Sequence, residues 1–230
     1  MPILMYHRIA ADGPKSLVRW RVPAAEFERQ LAHLAAGGYS SIGLAEWLTV
    51  RQSDPASLAR RVALTFDDAY KDFVTTGFPL LQRYGFGATM FVPTQFMGGF
   101  ADWDRDFGAP APLMTWDELT ALADAGIEIG AHTVSHPRLT RLQDEAEIVR
   151  EIVGSRSELE ARFHRPVTTF AYPWGDYDAR VEKIVRAAGF RCAVTIVPES
   201  AGPFALGRIG VYGDETFDVF REKLARAAKD

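Results

Sequence analysis

The feature of this chain that most restricts its fold is a repeated alternation of short apolar runs with longer amphipathic stretches. The apolar runs have the length of buried strands, and each is followed by a segment with helical spacing. They are ILMY, RVALTF, ATMFV, IEIGA, TTFAY and CAVTIV. Repeated strand–helix units predict parallel strands joined by helical crossovers. Periodicity alone leaves open whether these strands form a barrel or an open doubly wound sheet.

The longer stretches carry residues that begin or end helices. Thr115 and Glu118, for example, have the spacing of a capping box. Residues 94–112 form a polar loop rich in Gly and Pro, long enough to indicate a functional segment rather than a plain connector. The chain shows no internal repeat or linker, so we predict a single domain over residues 1–230. The predicted helices are AAEFERQLAHLAAGGY, GLAEWLTVR, DFVTTGFPLLQRYG, TWDELTALADAG, DEAEIVREIVGSRSELEARF, DARVEKIVRAAG and TFDVFREKLARAA, which ends at Ala228.

Composition narrows the functional classes. The formal net charge of −4 provides no basic field for nucleic acid or an anionic membrane. The single cysteine, Cys192, excludes an intrachain disulfide framework and a cysteine zinc cluster. No stretch approaches the roughly 18 apolar residues of a membrane span, and the N-terminus lacks the features of a signal peptide. We therefore predict a cytoplasmic protein, with an exported form left open, and the sequence indicates no oligomeric state.

In α/β folds of this kind, active sites form at the carboxyl ends of the strands. Chemically active residues should therefore come directly after a strand-like run. Four segments meet this condition: MYH (His7), TFDD (Asp67 and Asp68), GAHTVSH (His132 and His136) and FAYPWGDY (Tyr172 to Tyr177).

The histidine pair has the spacing of a metal site. His132 and His136 are four positions apart, which brings two imidazoles to one side of a single turn. Pro137 disfavours helical backbone at His136, so a loop turn is expected. Two histidines with one carboxylate are a common ligand set for a catalytic zinc or related ion. Alone, the spacing fits two polar residues on a surface loop equally well.

The adjacent carboxylates of Asp67 and Asp68 need an explanation, because neighbouring strand residues point to opposite faces and like charges repel. In one interpretation, one aspartate caps the next helix and the other faces solvent. In the other, one binds a cation and the second acts as general base toward the water that the cation activates. The histidine pair favours the second interpretation.

Together these motifs resemble those of the polysaccharide deacetylases, the NodB-homology group known as carbohydrate esterase family 4. TFDD matches the first family motif, HTVSH matches H-[ST]-x-x-H, and FAYPWG lies where the family carries R-x-P-[FY]-G. The resemblance is close over about residues 62–195. It implies a distorted (β/α)7 barrel forming one NodB-like catalytic domain. It also implies a metal-dependent N-deacetylase that releases acetate from an N-acetylhexosamine-containing glycan or glycan precursor.

By position, the resemblance implies a role for each residue of the first two motifs. Asp68, His132 and His136 match the metal ligands, with Zn²⁺ as the implied ion and Co²⁺ or Ni²⁺ as alternatives. Asp67 matches the general base, which takes the proton of the attacking water. The implied partner is a carbohydrate substrate.

The third motif implies substrate contacts and an oxyanion hole, carried here by Tyr172, Pro173 and Trp174. The backbone N–H of Trp174 is the best match for the oxyanion donor. The side chains of Trp174 and Tyr177 fit stacking on a sugar and core packing equally well. Trp103, in the 94–112 loop, is a candidate for a lid or binding rim. The remaining tryptophans carry no signal beyond packing: Trp20, Trp47 and Trp116.

Two departures from the family pattern matter. Ala171 replaces the arginine that braces the base, and no histidine after His164 is present to supply the general acid. The chain is similar to a circularly permuted subgroup, the poly-N-acetylglucosamine deacetylases, in which an early Tyr-His supplies the acid. That similarity implies His7 as the acid, against a partly buried structural histidine. Arg208 is the candidate partner of Asp67, against an ordinary ion pair.

Two other functions stay open at this point. One is an amidohydrolase of the same fold acting on a non-sugar amide. The other is a carbohydrate-binding pseudoenzyme, which the altered motifs allow and the intact ligand set argues against. A cytoplasmic location would favour a nucleotide- or lipid-linked precursor of envelope glycans as substrate.

Overall fold

The computed structural model describes residues 1–227, and its centre is a curled sheet of parallel strands. The order of strands across the sheet is β7-β6-β5-β4-β3-β1-β8, with β2 paired beside β3. Every pairing between named strands is parallel, as the strand–helix alternation predicts. The strands are β1 (Ile3–Tyr6), β2 (Ser40–Ser41), β3 (Arg61–Phe66), β4 (Thr89–Val92), β5 (Glu128–Ala131), β6 (Thr169–Ala171), β7 (Cys192–Val194) and β8 (Ile209–Gly210).

Seven helices connect and cover this sheet within the described residues. The third is preceded by a π-turn at Phe73–Gly77, and the predicted final residue of the seventh, Ala228, lies outside the described part of the chain. None of these helices has the length and apolar character needed to cross a bilayer. They are α1 (Ala24–Ala36), α2 (Leu44–Ser53), α3 (Phe78–Tyr84), α4 (Trp116–Asp124), α5 (Glu145–Phe163), α6 (Ala179–Ala187) and α7 (Phe217–Ala227).

The first strand, β1, lies between β3 and β8, so a strand near the N-terminus pairs with the last strand of the chain. In β1, Leu4 is in register with Leu64 of β3 on one side and with Ile209 of β8 on the other. Residues directly after β1 are therefore brought to the region where β3 ends. Arg208 directly precedes β8 and so lies at the level of Ile3, nearer the start of the strands. Its long side chain extends from there to Asp67. This arrangement places His7 and Arg208 near the aspartate pair.

Aromatic packing fixes the end of β3 in the core. The ring of Phe66, the last residue of β3, is stacked on Tyr6 at 5.2 Å and meets Phe73 edge-on at 4.6 Å. Phe27 of α1 contacts both Tyr6 and Phe66 edge-on. All four side chains are fully buried. Offset and edge-on ring pairs add directional packing to apolar burial, so the backbone that carries the aspartate pair has little freedom to move.

The predicted distorted (β/α)7 barrel and all six predicted strands are confirmed. The capping box at Thr115 also forms, since its hydroxyl accepts from the Glu118 N–H and the Glu118 carboxylate accepts from the Thr115 N–H. Two strands were not predicted, β2 and β8. Each has only two residues, which is too short to show a period in the sequence.

Candidate active site

The carboxyl ends of the strands surround a cleft of about 300 Å³. Residues from all four segments chosen from the sequence line it together with side chains from the 94–112 loop. Asp67 and Asp68 come from the end of β3, His132 and His136 from the end of β5, and His7 from the end of β1. The fourth segment contributes Trp174.

A left-handed turn explains how two adjacent aspartates reach one cavity. Asp68 has a φ of 77° and Ala69 a φ of 56°, so the alternation of the strand stops directly after Asp67. Thr133 and His136, at 67° and 60°, are also left-handed. Non-glycine residues in this region each cost about 1–3 kcal/mol and persist where the surrounding structure enforces them. The backbone of the two loops that carry Asp68 and His136 is therefore strained in the conformation that directs these side chains into the cleft.

Asp68, His132 and His136 form the one group of three or more potential ligands found among residues 1–227. The Asp68 Oδ1 atom lies 3.3 Å from His132 Nε2 and 3.2 Å from His136 Nε2. Neither contact has the alignment of a hydrogen bond, and Oδ1 is buried without a donor. Ligands about 2.0–2.1 Å from a tetrahedral zinc are separated from one another by about 3.3–3.4 Å. The triad therefore fits a divalent cation in both donor type and spacing.

Backbone contacts orient this triad. His132 Nδ1 lies 2.8 Å from the carbonyl oxygen of Ala171, which leaves Nε2 directed toward Asp68. Such a contact is typical of metal-binding histidines, because it fixes the ring and its tautomer. The Thr133 hydroxyl accepts a hydrogen bond from the His136 N–H at 3.0 Å. Ala171, which lacks the family's arginine side chain, thus contributes through its backbone.

Glu151 of α5 holds the loop between the two histidines. Its Oε2 accepts hydrogen bonds from the N–H groups of Val134 and Ser135 at 2.9 and 2.8 Å, and its Oε1 accepts from the Ser135 hydroxyl at 2.6 Å. Two N–H donors of a strained loop are thereby satisfied by one charged acceptor, which makes strong bonds. Sequence reasoning missed Glu151, because nothing in the helical pattern of α5 distinguishes it from neighbouring glutamates.

Burial and charge act against each other on the three triad residues. Burial raises the pKa of Asp68, but the nearby histidines outweigh it and hold that pKa well below its usual value. Burial lowers the pKa of His136, and the Asp68 charge only partly offsets this. Burial also lowers the pKa of His132, but contact with Asp68 and the charge of Asp67 leave it raised overall. An anionic Asp68 is the form that binds a cation.

Arg208 holds Asp67 through a bidentate ion pair. Its Nη1 donates to Asp67 Oδ1 and its Nη2 to Oδ2, both at 2.7 Å. Two further donors are engaged, Nε with the Thr195 carbonyl at 2.8 Å and Nη1 with the Thr65 hydroxyl at 3.1 Å. Arg208 is only 1% exposed. The structure therefore pairs Arg208 with Asp67 and excludes a surface pair, while the role of Arg208 in positioning a base, rather than in a structural ion pair, stays a prediction.

The same ion pair sets the charge of Asp67. Burial acts to raise its pKa, but the charge and hydrogen bonds of Arg208 outweigh burial and keep the pKa below its usual value. Both oxygens still have a lone pair beyond those used by Arg208. Asp67 is therefore an ionised carboxylate at neutral pH that can accept a further proton.

His7 lines the cleft next to this ion pair. Its Nε2 is 4.0 Å from Asp67 Oδ2, and its ring packs against Trp20 with 4.6 Å between ring centroids. Burial lowers the pKa of His7, while the charges of Asp68 and Asp67 oppose that change. Trp20 lines the cleft, so its assignment to plain packing from the sequence was incomplete. Nothing in the sequence around Trp20 indicated this position.

Two tryptophans form aromatic walls at the triad. Trp103 stacks on the His136 ring with 4.4 Å between ring centroids. This side chain, a candidate for a lid or binding rim from the sequence, therefore lines the cleft directly beside the triad. Trp174 lies 5.2 Å from the same ring, and its Nε1–H donates to the His136 carbonyl at 3.3 Å. The Arg138 guanidinium covers the ring of Trp174 at 4.6 Å.

The other two residues predicted from the third motif do not line the cleft. Tyr172 is fully buried, donates its hydroxyl hydrogen to the Phe204 carbonyl at 2.9 Å and stacks on Tyr177 at 4.7 Å. Pro173 is buried as well. Of this motif only Trp174, whose left-handed backbone has a φ of 61°, reaches the cleft. A role for Tyr172 and Pro173 in binding substrate stays a prediction.

Comparison with known proteins agrees with this architecture. The family model described as "Polysaccharide deacetylase" matches residues 55–193. The Bacillus subtilis (strain 168) protein YxkH, which is named as a polysaccharide deacetylase, is 30% identical over 215 residues, covering 92% of this chain and 71% of its own. A Staphylococcus aureus (strain MRSA252) protein named poly-beta-1,6-N-acetyl-D-glucosamine N-deacetylase is 23% identical over 219 residues, covering 87% and 73%.

A solved structure shows the same fold over nearly the whole chain. The Streptococcus pyogenes deacetylase PplD, described in complex with acetate, superimposes with a TM-score of 0.82 at 25% identity. The match covers 98% of this chain and 96% of that one.

Proposed function

This chain belongs to the polysaccharide deacetylase family, and we propose that it is a metal-dependent N-deacetylase of a glycan, or glycan precursor, that contains N-acetylhexosamine. The observation that carries the proposal is the joint presence, in one cleft, of a buried Asp-His-His triad and an ionised carboxylate held by Arg208. A cation site alone would serve a binding protein, whereas a neighbouring base is needed for hydrolysis. The products would be acetate and a free amino sugar.

The residues that would hold the metal are Asp68, His132 and His136. They leave room for further ligands, which is typical of catalytic rather than structural zinc sites. When bound there, a divalent cation such as zinc would supply a Lewis acid that polarises the acetamide carbonyl and lowers the pKa of water. The same donor set would accept cobalt or nickel, because imidazole and carboxylate suit each of these ions.

Asp67 is the proposed general base. As the oxygen of water bonds to the acetamide carbon, Asp67 takes one proton of that water. Arg208 keeps the carboxylate ionised before the reaction and in a fixed orientation during it, since both of its oxygens are held at 2.7 Å. A carboxylate with a pKa below its usual value is a weaker base. Arg208 therefore lowers the basicity of Asp67 while it fixes the orientation of the carboxylate.

His7 is the proposed general acid. When the carbon–nitrogen bond breaks, the nitrogen needs a proton to leave as an amine, and His7 lies on the cleft side of Asp67 at 4.0 Å. A protonated His7 donates that proton, and the proton held by Asp67 restores His7 or passes to solvent. The balance is one amide and one water consumed, with one carboxylic acid and one amine formed. The ring of Trp20 keeps the imidazole in place.

Two features support a sugar over another amide as substrate. Trp103 and Trp174 line the cleft beside the triad, and flat aromatic faces suit the apolar faces of pyranose rings. One relative is named as a deacetylase of poly-beta-1,6-N-acetyl-D-glucosamine, and PplD is described with acetate bound. Acetate is the expected product of the reaction proposed for this chain.

The test is acetate release from N-acetylglucosamine oligomers and from N-acetylated sugar precursors. Wild type and Asp67→Asn would each be assayed after chelation and after reloading with zinc or cobalt. We expect release only from metal-loaded wild type, while metal-loaded Asp67→Asn keeps its metal and loses turnover. Full metal content with no release from any sugar, but hydrolysis of small non-sugar amides, would contradict the proposal. Binding of oligosaccharide without any hydrolysis would indicate a pseudoenzyme.

A further inference from the structure

A third carboxylate lies in the cleft and is not used by the chemistry described above. Asp104 is 7% exposed, and its Oδ2 accepts a hydrogen bond from the Tyr70 hydroxyl at 2.8 Å. Its Oδ1 accepts no hydrogen bond from residues 1–227 and is not sealed from solvent, although Asp104 lines the cleft. One oxygen is thus fixed by the protein, and the other is available to a molecule in the cleft.

The segment that carries Asp104 is tied to the triad. The neighbouring residue, Trp103, stacks on the metal-ligand candidate His136 at 4.4 Å. The Ala101 N–H donates to the Ala111 carbonyl at 2.9 Å, and the Lys71 N–H donates to the Pro112 carbonyl at 3.0 Å. These bonds join both ends of the segment to each other and to the turn after β3. Asp104 is therefore preorganised beside the reacting centre.

No cation of the described chain neutralises Asp104. No Lys, Arg or His nitrogen among residues 1–227 lies within 4.0 Å of its carboxylate, and the nearby Arg8 is engaged with Asp72 at 2.7 Å. Burial, together with the charge of Asp68, raises the pKa of Asp104 to about 6, although Tyr70 and Arg8 partly oppose this change. Keeping an unpaired carboxyl at low exposure is unfavourable unless its oxygens are hydrogen-bonded. An incoming hydrogen-bond donor would remove that cost.

We propose that Asp104, held by Tyr70, is the residue that selects a sugar by accepting a hydrogen bond from a ring hydroxyl of the unit whose acetamido group lies at the triad. This inference rests on the proposed deacetylase function and adds the means of recognition. The Tyr70 hydrogen is directed to Asp104, so the pair presents only acceptors to the cleft. Pyranose hydroxyls are donors, whereas an acetyl group or a simple aryl ester offers none.

The test compares one substrate that has ring hydroxyls with one that lacks them. Asp104→Asn, Tyr70→Phe and wild type, all zinc-loaded, would be assayed on an N-acetylglucosamine tetramer and on 4-nitrophenyl acetate. A hydrogen bond to a charged acceptor contributes enough that its loss lowers kcat/KM about 10- to 150-fold. We expect that loss for Asp104→Asn on the tetramer, a smaller loss for Tyr70→Phe, and a change below about twofold for both on the ester.

Asp102→Asn is the matched control, because Asp102 and Asp104 lie in the same short 3-10 helix, Asp102–Phe107. Asp102 pairs with Arg105 at the surface and does not line the cleft. It should behave as wild type on both substrates. Equal losses on the tetramer and the ester would show that Asp104 acts on the reacting centre and would overturn the inference. Unchanged kcat/KM on both would overturn it as well. If Asp104→Asn does not fold, Tyr70→Phe decides the question.

Failure of the proposed function would look different. Wild type would then release no acetate from the tetramer. Calorimetric binding of the tetramer to chelated wild type and chelated Asp104→Asn still tests the inference in that case. Weaker binding by Asp104→Asn would support recognition of a ring hydroxyl, and equal affinity, or no binding by either, would overturn it.

Discussion

Asp67 and Asp68 are neighbours in sequence, yet their surroundings are opposite. Both oxygens of Asp67 are held by Arg208 at 2.7 Å, so this half of the site is complete with protein atoms alone. Asp68 Oδ1 is buried with no donor, and the two histidine nitrogens beside it are not aligned for hydrogen bonds. The carboxylate of Asp67 is stabilised by Arg208, whereas that of Asp68 would be stabilised by a bound cation.

This difference teaches how one dipeptide can serve two purposes. A fixed cation next to Asp67 keeps it ionised and oriented without occupying its remaining lone pairs. The absence of a fixed cation next to Asp68 leaves an anionic group that attracts one from solution. If both aspartates had an arginine partner, the metal would have no carboxylate ligand. If neither had one, two like charges would share a buried site.

The largest expected effect separates the two aspartates by metal binding. Asp67→Asn should lower deacetylase turnover by about a thousandfold, within the usual range for loss of a general base. Asp68→Asn should lower turnover at least as much, because it removes a ligand of the proposed metal. Only Asp68→Asn should lose the metal, because Asp67 is not among the triad. Thermal unfolding of chelated protein, with and without added zinc, measures this difference. Zinc should raise the midpoint of wild type and Asp67→Asn and leave that of Asp68→Asn unchanged.

Equal stabilisation of both variants by zinc would contradict the division between the two aspartates. Asp117→Asn is a suitable control, since it removes an exposed carboxylate at the start of α4 and should respond to zinc as wild type does.

A second test removes the partner of Asp67. Arg208→Met leaves a buried carboxylate without its cation, which should lower the free energy of unfolding by about 3–5 kcal/mol. Arg150→Met, which breaks a surface pair with Glu147, should cost less than about 1 kcal/mol. Chemical denaturation of the chelated proteins measures both. A loss at Arg208 no larger than at Arg150 would show that the ion pair does not stabilise the fold.

The Arg208→Met variant should also differ from wild type in how its activity depends on pH. The pKa of Asp67 in the folded protein lies below its usual value, so its contribution to stability is present above the pKa of unfolded Asp, about 4. That contribution is lost as the pH falls through the lower pKa of the folded state. Without Arg208 the pKa of Asp67 rises, so the acidic limb of the pH–rate profile should move to higher pH. An unmoved limb would assign that limb to another group.

His7 provides a smaller and more selective change. His7→Ala should lower turnover on the sugar amide about a hundredfold, because the amine leaves without its proton donor. Metal content should stay as in wild type, since His7 is not part of the triad. An activated acetyl ester, whose leaving group needs no proton, should be affected much less. Loss of metal together with activity would show that the role of His7 is misassigned.

The smallest effect is expected at the support of the histidine loop. Glu151→Gln keeps the shape of the side chain and removes the charge that accepts from Val134 and Ser135. Outer contacts of this kind typically change metal affinity about 10- to 100-fold, so the zinc dissociation constant should rise within that range. Glu147→Gln, an exposed position on the same helix, is the control. Equal affinities for both variants would show that the loop holds its shape without Glu151.

The parts of the site that follow strand ends could be predicted from the sequence, because each strand-like run places its last residues at one edge of the sheet. Asp67, Asp68, His132 and His136 were found in this way and lie together in the cleft. Arg208 could be suggested only because Ala171 stands where the family carries an arginine. The strand that follows Arg208, β8, has two residues and is too short to show a period in the sequence.

Other features depend on three-dimensional contacts that no local pattern encodes. The left-handed turn at Asp68 is enforced by its surroundings, against the preference of both residues involved. Asp104 comes from a loop whose path could not be read from periodicity, and Trp20 gains a role only through its contact with His7. Tyr172 was predicted from motif position, but its hydroxyl is directed to Phe204 instead of the cleft.

The pairing of the last strand, β8, with the first, β1, has a consequence for the order in which the site is assembled during synthesis. All three triad residues are present once residue 136 has been synthesised, and Glu151 and Ala171, which orient them, follow soon after. Arg208 comes 72 positions after residue 136 and just before β8, which pairs with β1. A growing chain thus contains the three candidate metal ligands well before Arg208 can hold Asp67.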